Sequence, residues 1–465
     1  MSYTFRISTP LRESARLPGL VLALGAFLTQ FDVTAAVVAM PSISRDLKLD
    51  VAGFAWVMDA YSLAFTAALL AAGALADRFG RRRVMLVGNL WFLAASLACG
   101  WAWNGPTLWA ARAAQGVGAA FVITGAIALI SSTYLEPHKR AQAFARMGIV
   151  SGVAMALGPT LGGALAASLG WRWIFWANVP LCALIAWAVP RLVDESRDAG
   201  GSSVDIAGIA LLTSVLGLTI ASLLHLKDAP APAVLGLLGS VLLAVLFVVQ
   251  QRRCLAPMFD MAVFAQPAML GIVALLFAVS FGYWAVLVYL PLFIQLAFGW
   301  PSGTAGLTLL CATVPMLVLP AAGSQLAMRS GLRRLFATGL TAMTAGDLLL
   351  AVSCLLADGV PRLAVCSLGM ICIGSGAALA HPQLSGAVLA LVPPRQAGMA
   401  SAITVAARQA GFAIGIAALG AMLADDARAP GFVSPFLLAA AGSIAGLWAA
   451  LRLLPTISPE SPDRV

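Results

Sequence analysis

Runs of 18 or more mainly apolar residues recur along this chain from about residue 17 to about residue 454, with short loops between them. A helix rises 1.5 Å per residue, so each run can cross a hydrocarbon layer of about 30 Å with every backbone group bonded internally. The expected fold is therefore an all-α polytopic membrane protein. Breaks at glycine, proline and charge clusters divide the apolar runs into fourteen spans, the tenth over about 304 to 327. Only 10% of residues are charged and 61% are hydrophobic, whereas about a quarter are charged in a soluble chain. The recurrence excludes a single anchor on a soluble domain. The first run, from Leu17, is full length and lacks a small-residue cleavage site, so it is read as the first span.

The formal charge of +9 does not imply nucleic acid, because the basic residues sit in short loops and form no continuous stripe. Their distribution sets the orientation instead. With a cytoplasmic N-terminus, twenty of the 28 lysines and arginines fall on the cytoplasmic side and six on the other, while Arg112 and Arg408 lie inside spans. The positive-inside rule then places both termini in the cytoplasm, as an even number of helices requires. The seven cysteines form no C-x-x-C pair and the three histidines have no ligand-spaced neighbours, so neither a metal site nor a cofactor is expected. No Ser/His/Asp or phosphate-loop constellation gathers on one face, which disfavours an enzyme. No loop is long enough for a soluble sensor domain.

Two loops repeat. GALADRFGRRR (Gly73 to Arg83) follows the second span and SQLAMRSGLRR (Ser324 to Arg334) follows the tenth, so Arg78, Gly80, Arg82 and Arg83 match Arg329, Gly331, Arg333 and Arg334. Two related six-helix halves are implied, a parallel repeat found among transporters. The expected organisation is a first bundle over 1–198, two additional helices over 199–256 and a second bundle over 257–465.

The first of these loops resembles the signature between helices two and three of the major facilitator superfamily. FDVTAAVVAMPSI (Phe31 to Ile43), RAAQGVGAA (Arg112 to Ala120), GVAMALGPTLGG (Gly152 to Gly163) and WRWIFWANVP (Trp171 to Pro180) are similar, in the same order, to its fourteen-helix drug:proton antiporter branch. The resemblance implies a proton-coupled exporter of lipophilic cationic compounds that works by alternating access in a bacterial cytoplasmic membrane. Its partners would be the bilayer, protons and a small cationic substrate, and a monomer is expected. Export of one endogenous metabolite or antibiotic, and uptake as a proton symporter, are the alternatives.

Within that frame the ionisable residues inside the spans are the candidates. An intramembrane carboxylate costs about 2.5 to 3.5 kcal/mol on insertion scales and needs a partner, a proton or water. Asp32 and Asp59 are therefore candidate proton- and cation-binding groups, against the plainer reading of an interhelical hydrogen bond for Asp32 and a headgroup contact for Asp59. An acid at the position of Asp59 is similar to the subgroup exporting quaternary ammonium compounds. Arg112 cannot shed its charge and must be paired; the resemblance assigns it to proton transfer, and a structural pairing through Gln115 is the alternative.

Gly152, Gly158, Pro159, Gly162 and Gly163 form a seam of small residues around a helix break, which the resemblance makes the antiporter motif. Asp77, Arg78, Gly80 and Arg81 are read as a cytoplasmic gate in which Asp77 meets a helix N-terminus of the other half. The resemblance also puts the ninth span in the cavity wall, making Tyr283, Trp284, Tyr289 and Gln295 candidate substrate contacts beside His381. Asp347 is read as structural. Arg408, in AARQAG, is a candidate for pairing or charge in the second half.

Overall fold

A computed structural model describes residues 16–197, 205–254, 257, 259, 261–391, 397–423 and 429–454. The expected domain boundaries at 198/199 and 256/257 adjoin or lie outside the described residues. Six spans precede the first of these gaps: α1 (Arg16–Leu47), α2 (Val51–Phe79), α3 (Arg81–Gly100), α4 (Gly105–Thr133), α5 (Pro137–Ser168) and α6, in two pieces (Arg172–Trp176 and Asn178–Leu192). Two follow, α7 (Ile206–Leu224) and α8 (Pro230–Arg253). The next, α9, runs through Pro267–Val279, a π-helical turn Ser280–Ala285 and Val286–Phe298.

The tenth span, α10, is broken into Ser302–Thr308, Leu310–Val318 and residues 320–330, and α11 covers residues 332–353. Between them Gly331 takes φ 81°, which interrupts an otherwise continuous helical path. The last three are α12 (Val360–Leu391), α13 (Ala397–Met422) and α14 (Val433–Leu453). Among the described residues thirteen helices are long and apolar enough to cross a membrane, and the shorter apolar stretch Ser302–Val318 belongs to the tenth span. Pro315 and Pro320 explain why that span is not one unbroken rod, since a proline removes a helical donor.

Local chemistry sets the ends. Asp50 accepts a hydrogen bond from the Gly53 amide and caps α2, Asn104 and Thr107 form a reciprocal capping box on α4, and Asp205 caps α7 through Gly208. Gly80 (φ 107°) and Gly331 (φ 81°) turn the chain at matching places in the two halves, a conformation that favours glycine. The internal repeat read from sequence is thus a repeat of backbone geometry.

Helices α7 and α8 pack on each other, and α7 leans on α2 and α13. Leu235, Leu238, Val241, Leu242 and Val245 of α8 are left exposed, the surface expected of a span that faces lipid. Both halves pack tightly within themselves, and the contact between them is uneven. At the end opposite the basic loops, the Ser42 and Ser302 hydroxyls lie 3.3 Å apart and the rings of Phe54 and Tyr289 stack at 5.4 Å. A Cβ placed on Gly306 would stand 2.5 Å from the Pro159 carbonyl oxygen.

Along α5 this seam loosens toward the basic end. A Cβ on Gly152 would find Leu317 at 3.7 Å, and one on Gly148 would meet nothing within 4 Å. Among the described residues, α5 and α10 are thus tightly joined at one end and separate toward the other.

Candidate functional site

Four helices of the first half bring polar residues to one buried point. Asp32 of α1 is fully buried. Its Oδ2 accepts from Arg112 Nη1 at 2.7 Å, and its Oδ1 accepts from Gln115 Nε2 and Asn178 Nδ2, each at 2.7 Å. Gln115 also donates to Ser96 Oγ at 2.9 Å. The guanidinium of Arg112 spends further hydrogens on the Val57 carbonyl (3.1 Å) and Gln115 Oε1 (2.6 Å), and lies 4.4 Å from the centre of the Tyr61 ring. Such charge-assisted bonds are what allow an ion pair to exist at zero exposure.

The reason α1 and α6 meet here is in the tryptophan-rich motif. Trp171 and Arg172 both hold Asp46 at the end of α1, at 3.0 and 2.7 Å, and Asn178 at the start of the second piece of α6 reaches Asp32. One short segment of α6 therefore grips α1 by two separate carboxylates. Asn178 and Ser96 were not singled out from sequence, although a lone amide in an apolar span is the kind of signal that marks such a partner.

Asp59 is the opposite case. It is fully buried in α2, and among the described residues neither carboxyl oxygen has a hydrogen-bond partner. The plainer alternative, a contact with outer headgroups, does not hold, because the side chain is fully buried. It sits one helical stretch inward from the Phe54–Tyr289 stack that closes the two halves.

Among the candidate substrate contacts, Tyr283 and Tyr289 are packed into the interior. Their hydroxyls donate to the Ala312 carbonyl at 3.0 Å and the Ile416 carbonyl at 2.7 Å. Trp284 is half-buried and stands edge-on to Tyr283 at 5.1 Å and to His381 at 5.9 Å. Gln295 is half-buried, with its Nε2 sealed and unbonded. Asp347 is fully buried: its Oδ2 accepts from Ser443 Oγ at 3.0 Å, beside the π-helical turn of α9.

The antiporter motif joins three helices. A Cβ on Gly158 would stand 2.0 Å from Thr34 Oγ1 and one on Gly162 2.7 Å from the Ala35 Cα, so these two glycines seat α5 on α1. Pro159 and Gly163 face α10 across the closed seam. Gly152 marks where the seam begins to part.

The gate is wired differently from the expectation. Asp77 accepts from Arg81 Nη2 at 2.8 Å and Nε at 3.0 Å, one turn along, and does not cap a helix of the other half. The acid at a helix N-terminus is Glu195, just after α6, which accepts from the backbone amides of Arg82 and Arg83 at 2.9 and 3.1 Å. Arg82 adds a bond to the Val193 carbonyl at 3.0 Å, and the Arg81 amide donates to the Ser196 carbonyl. Every bond described for this loop lies inside its own half. Arg78 lies over the Phe79 ring. Among the described residues no His, Cys, Asp or Glu cluster is gathered to hold a metal ion.

A profile described as the Major Facilitator Superfamily matches residues 22–279 and 272–464. The chain belongs to this superfamily. It is a multi-pass membrane transporter and not an enzyme, with bacterial relatives along most of its length. The multidrug resistance protein Stp of Mycobacterium tuberculosis is 31% identical over 86% of this chain and 74% of its own. The methylenomycin A resistance protein of Bacillus subtilis is 32% identical over 90% of each chain, and the multidrug efflux pump LfrA of Mycolicibacterium smegmatis is 30% identical over 96% of this chain and 89% of its own. Among solved structures, a D-xylose-proton symporter superposes with a TM-score of 0.68 at 15% identity, covering 95% of this chain and 98% of the symporter. A peptide transporter bound to alafosfalin gives 0.67 at 18% identity over 94% of each. These two likenesses concern the superfamily fold alone.

Proposed function

We propose that this superfamily member is a proton-coupled exporter of lipophilic, cationic drugs, with both termini in the cytoplasm and a first bundle, two added helices and a second bundle as its units. The relatives named for drug resistance and efflux support export. The excess of arginine on the loops at the parted end supports calling that end cytoplasmic. The conformation is then the one that loads substrate from inside.

The observation that carries the coupling scheme is Asp59, buried without a donor to either oxygen. A bare carboxylate in such a place needs a proton or a cation to offset its desolvation. A proton taken up when the outer seam is open would ride inward on Asp59 as the seam closes. A cationic substrate arriving from the cytoplasm would replace it, so the two occupy the same carboxyl group in alternation. Each charge crossing the membrane field is worth about 2.3 kcal/mol per 100 mV, enough for one proton to support accumulation outside.

Asp32 and Arg112 take part differently. Their ion pair, shared with Gln115 and Asn178, ties α1, α4 and α6 into one rigid unit, and a change in that pair on rocking sets when protons and substrate exchange. Asp77, Arg78, Gly80 and Arg81 brace the cytoplasmic loop through each half-turn of the cycle.

The test uses reconstituted vesicles with the cytoplasmic face outward, following proton movement when ethidium is added. The wild-type chain is expected to release protons on ethidium addition, and Asp59→Asn to show none while keeping its elution profile. Wild-type proton release from the Asp59→Asn protein would overturn the scheme.

A further inference from the structure

The wall of the parted cleft holds a charge that the coupling scheme leaves unused. Arg408 lies in α13 and is half-buried. Among the described residues it makes no hydrogen bond or ion pair, and its nitrogens are not among the sealed, unbonded atoms of the interior. Among these residues its guanidinium is therefore neither bonded nor sealed. It lies on the cleft side of the molecule, since α13 packs against α2, α7, α9 and α12, where the two halves meet.

The surroundings are those of a binding surface. His381 of α12 lies within electrostatic range of Arg408, and its ring stands edge-on to Trp284 of α9 at 5.9 Å. Both His381 and Trp284 are only half-buried. Among the described residues no carboxylate neutralises the arginine: both oxygens of Asp59, on the facing α2, are unbonded. Asp347 is held by Ser443 within the second half.

The contrast with Arg112 is direct. One intramembrane arginine is given Asp32, a carbonyl and an amide oxygen, whereas the other is given no partner among the described residues. A guanidinium keeps its charge at any accessible pH and presents a planar fork of donors that fits a carboxylate through two parallel bonds. An ionised side chain kept inside a span without a partner points to a ligand that brings one.

We propose that Arg408, with His381 beside it and Trp284 as an apolar platform, binds a carboxylate on the transported molecule, so that the cleft accepts acids and zwitterions as well as cations. The guanidinium would hold the carboxylate from one side. The indole of Trp284 would pack on the adjoining ring system of the substrate. Asp59, deeper and toward the closed seam, would then face the cationic end of a molecule that carries both signs. This assignment rests on the exporter reading and adds a second class of substrate to it.

The experiment compares two dyes that differ at one group, a rhodamine with a free carboxylate and its methyl ester, in vesicles containing the full chain. The wild-type protein exports both. Arg408→Gln is expected to lower export of the free acid by about tenfold, the scale of one lost charge-assisted bidentate contact, and to leave the ester within about twofold. Arg408→Lys, which keeps the charge and loses the fork, falls between.

Equal losses for acid and ester would assign Arg408 to the fold or to coupling and overturn the proposal, as would no loss for either or a wild-type chain that moves only the ester. Binding of the two dyes to the purified protein by fluorescence anisotropy separates this proposal from the exporter reading. If transport fails for both dyes, exporter activity is what has failed. Acid binding that weakens in Arg408→Gln while ester binding holds then still supports the site, and acid binding that is absent or unaltered refutes it.

Discussion

Asp32 and Asp59 are the same residue type, both wholly withdrawn from solvent in the first half of the molecule, and their surroundings are opposite. Asp32 accepts hydrogen bonds from an arginine, a glutamine and an asparagine, while Asp59 accepts none. Burial by itself therefore says little about what a membrane carboxylate does. The partner set separates a group built into the frame from one kept available for exchange, because a multiply bonded ion pair is expensive to disturb and a bare acid is expensive to leave charged.

That contrast can be broken first at Asp59. Asp59→Asn is expected to abolish substrate-triggered proton release with little change in thermal unfolding in detergent. Asp32→Asn, in the same two measurements, is expected to cost about 3 to 5 kcal/mol of stability, since it leaves the Arg112 charge buried without a counter-charge. If Asp32→Asn proved as stable as wild type and lost only its proton movement, the two roles would be exchanged.

A smaller effect sharpens the same distinction: Asn178→Ala removes one donor from Asp32 and should cost about 1 to 3 kcal/mol in a thermal melt, with coupling retained. Smallest is Glu195→Gln, at about 1 kcal/mol, because the amide still accepts from the α3 amides but no longer offers a full charge to the helix N-terminus. Limited proteolysis of the loop between α2 and α3 would register it.

The architecture was readable because lipid imposes length and apolarity on every span, and because arginine marks one set of loops. The repeated loop was readable down to Gly80 and Gly331, since only a few residue types tolerate that backbone turn. The site was readable in part. Asp32, Asp59 and Arg112 stood out as charges inside apolar runs, whereas which of them would be bonded depended on how four distant helices converge.

Glu195 was missed for a related reason. Asp77 is adjacent to the turn in sequence, but the residue that reaches the α3 amides is the one brought back by the end of α6. The π-helical turn at Ser280–Ala285 leaves no mark in composition. Tyr283 and Tyr289 looked like cavity residues, and their phenolic groups are instead tethered to backbone carbonyls.

The near-touching of Gly306 and the Pro159 carbonyl offers a handle on the transport cycle itself. A single methyl group at residue 306 would act as a wedge on the outward-side joint while leaving the loading mouth untouched. Gly306→Ala would tilt the resting population toward the conformer that releases its cargo, and a cysteine introduced at position 42 would then be labelled by a membrane-impermeant reagent from outside without any ligand present.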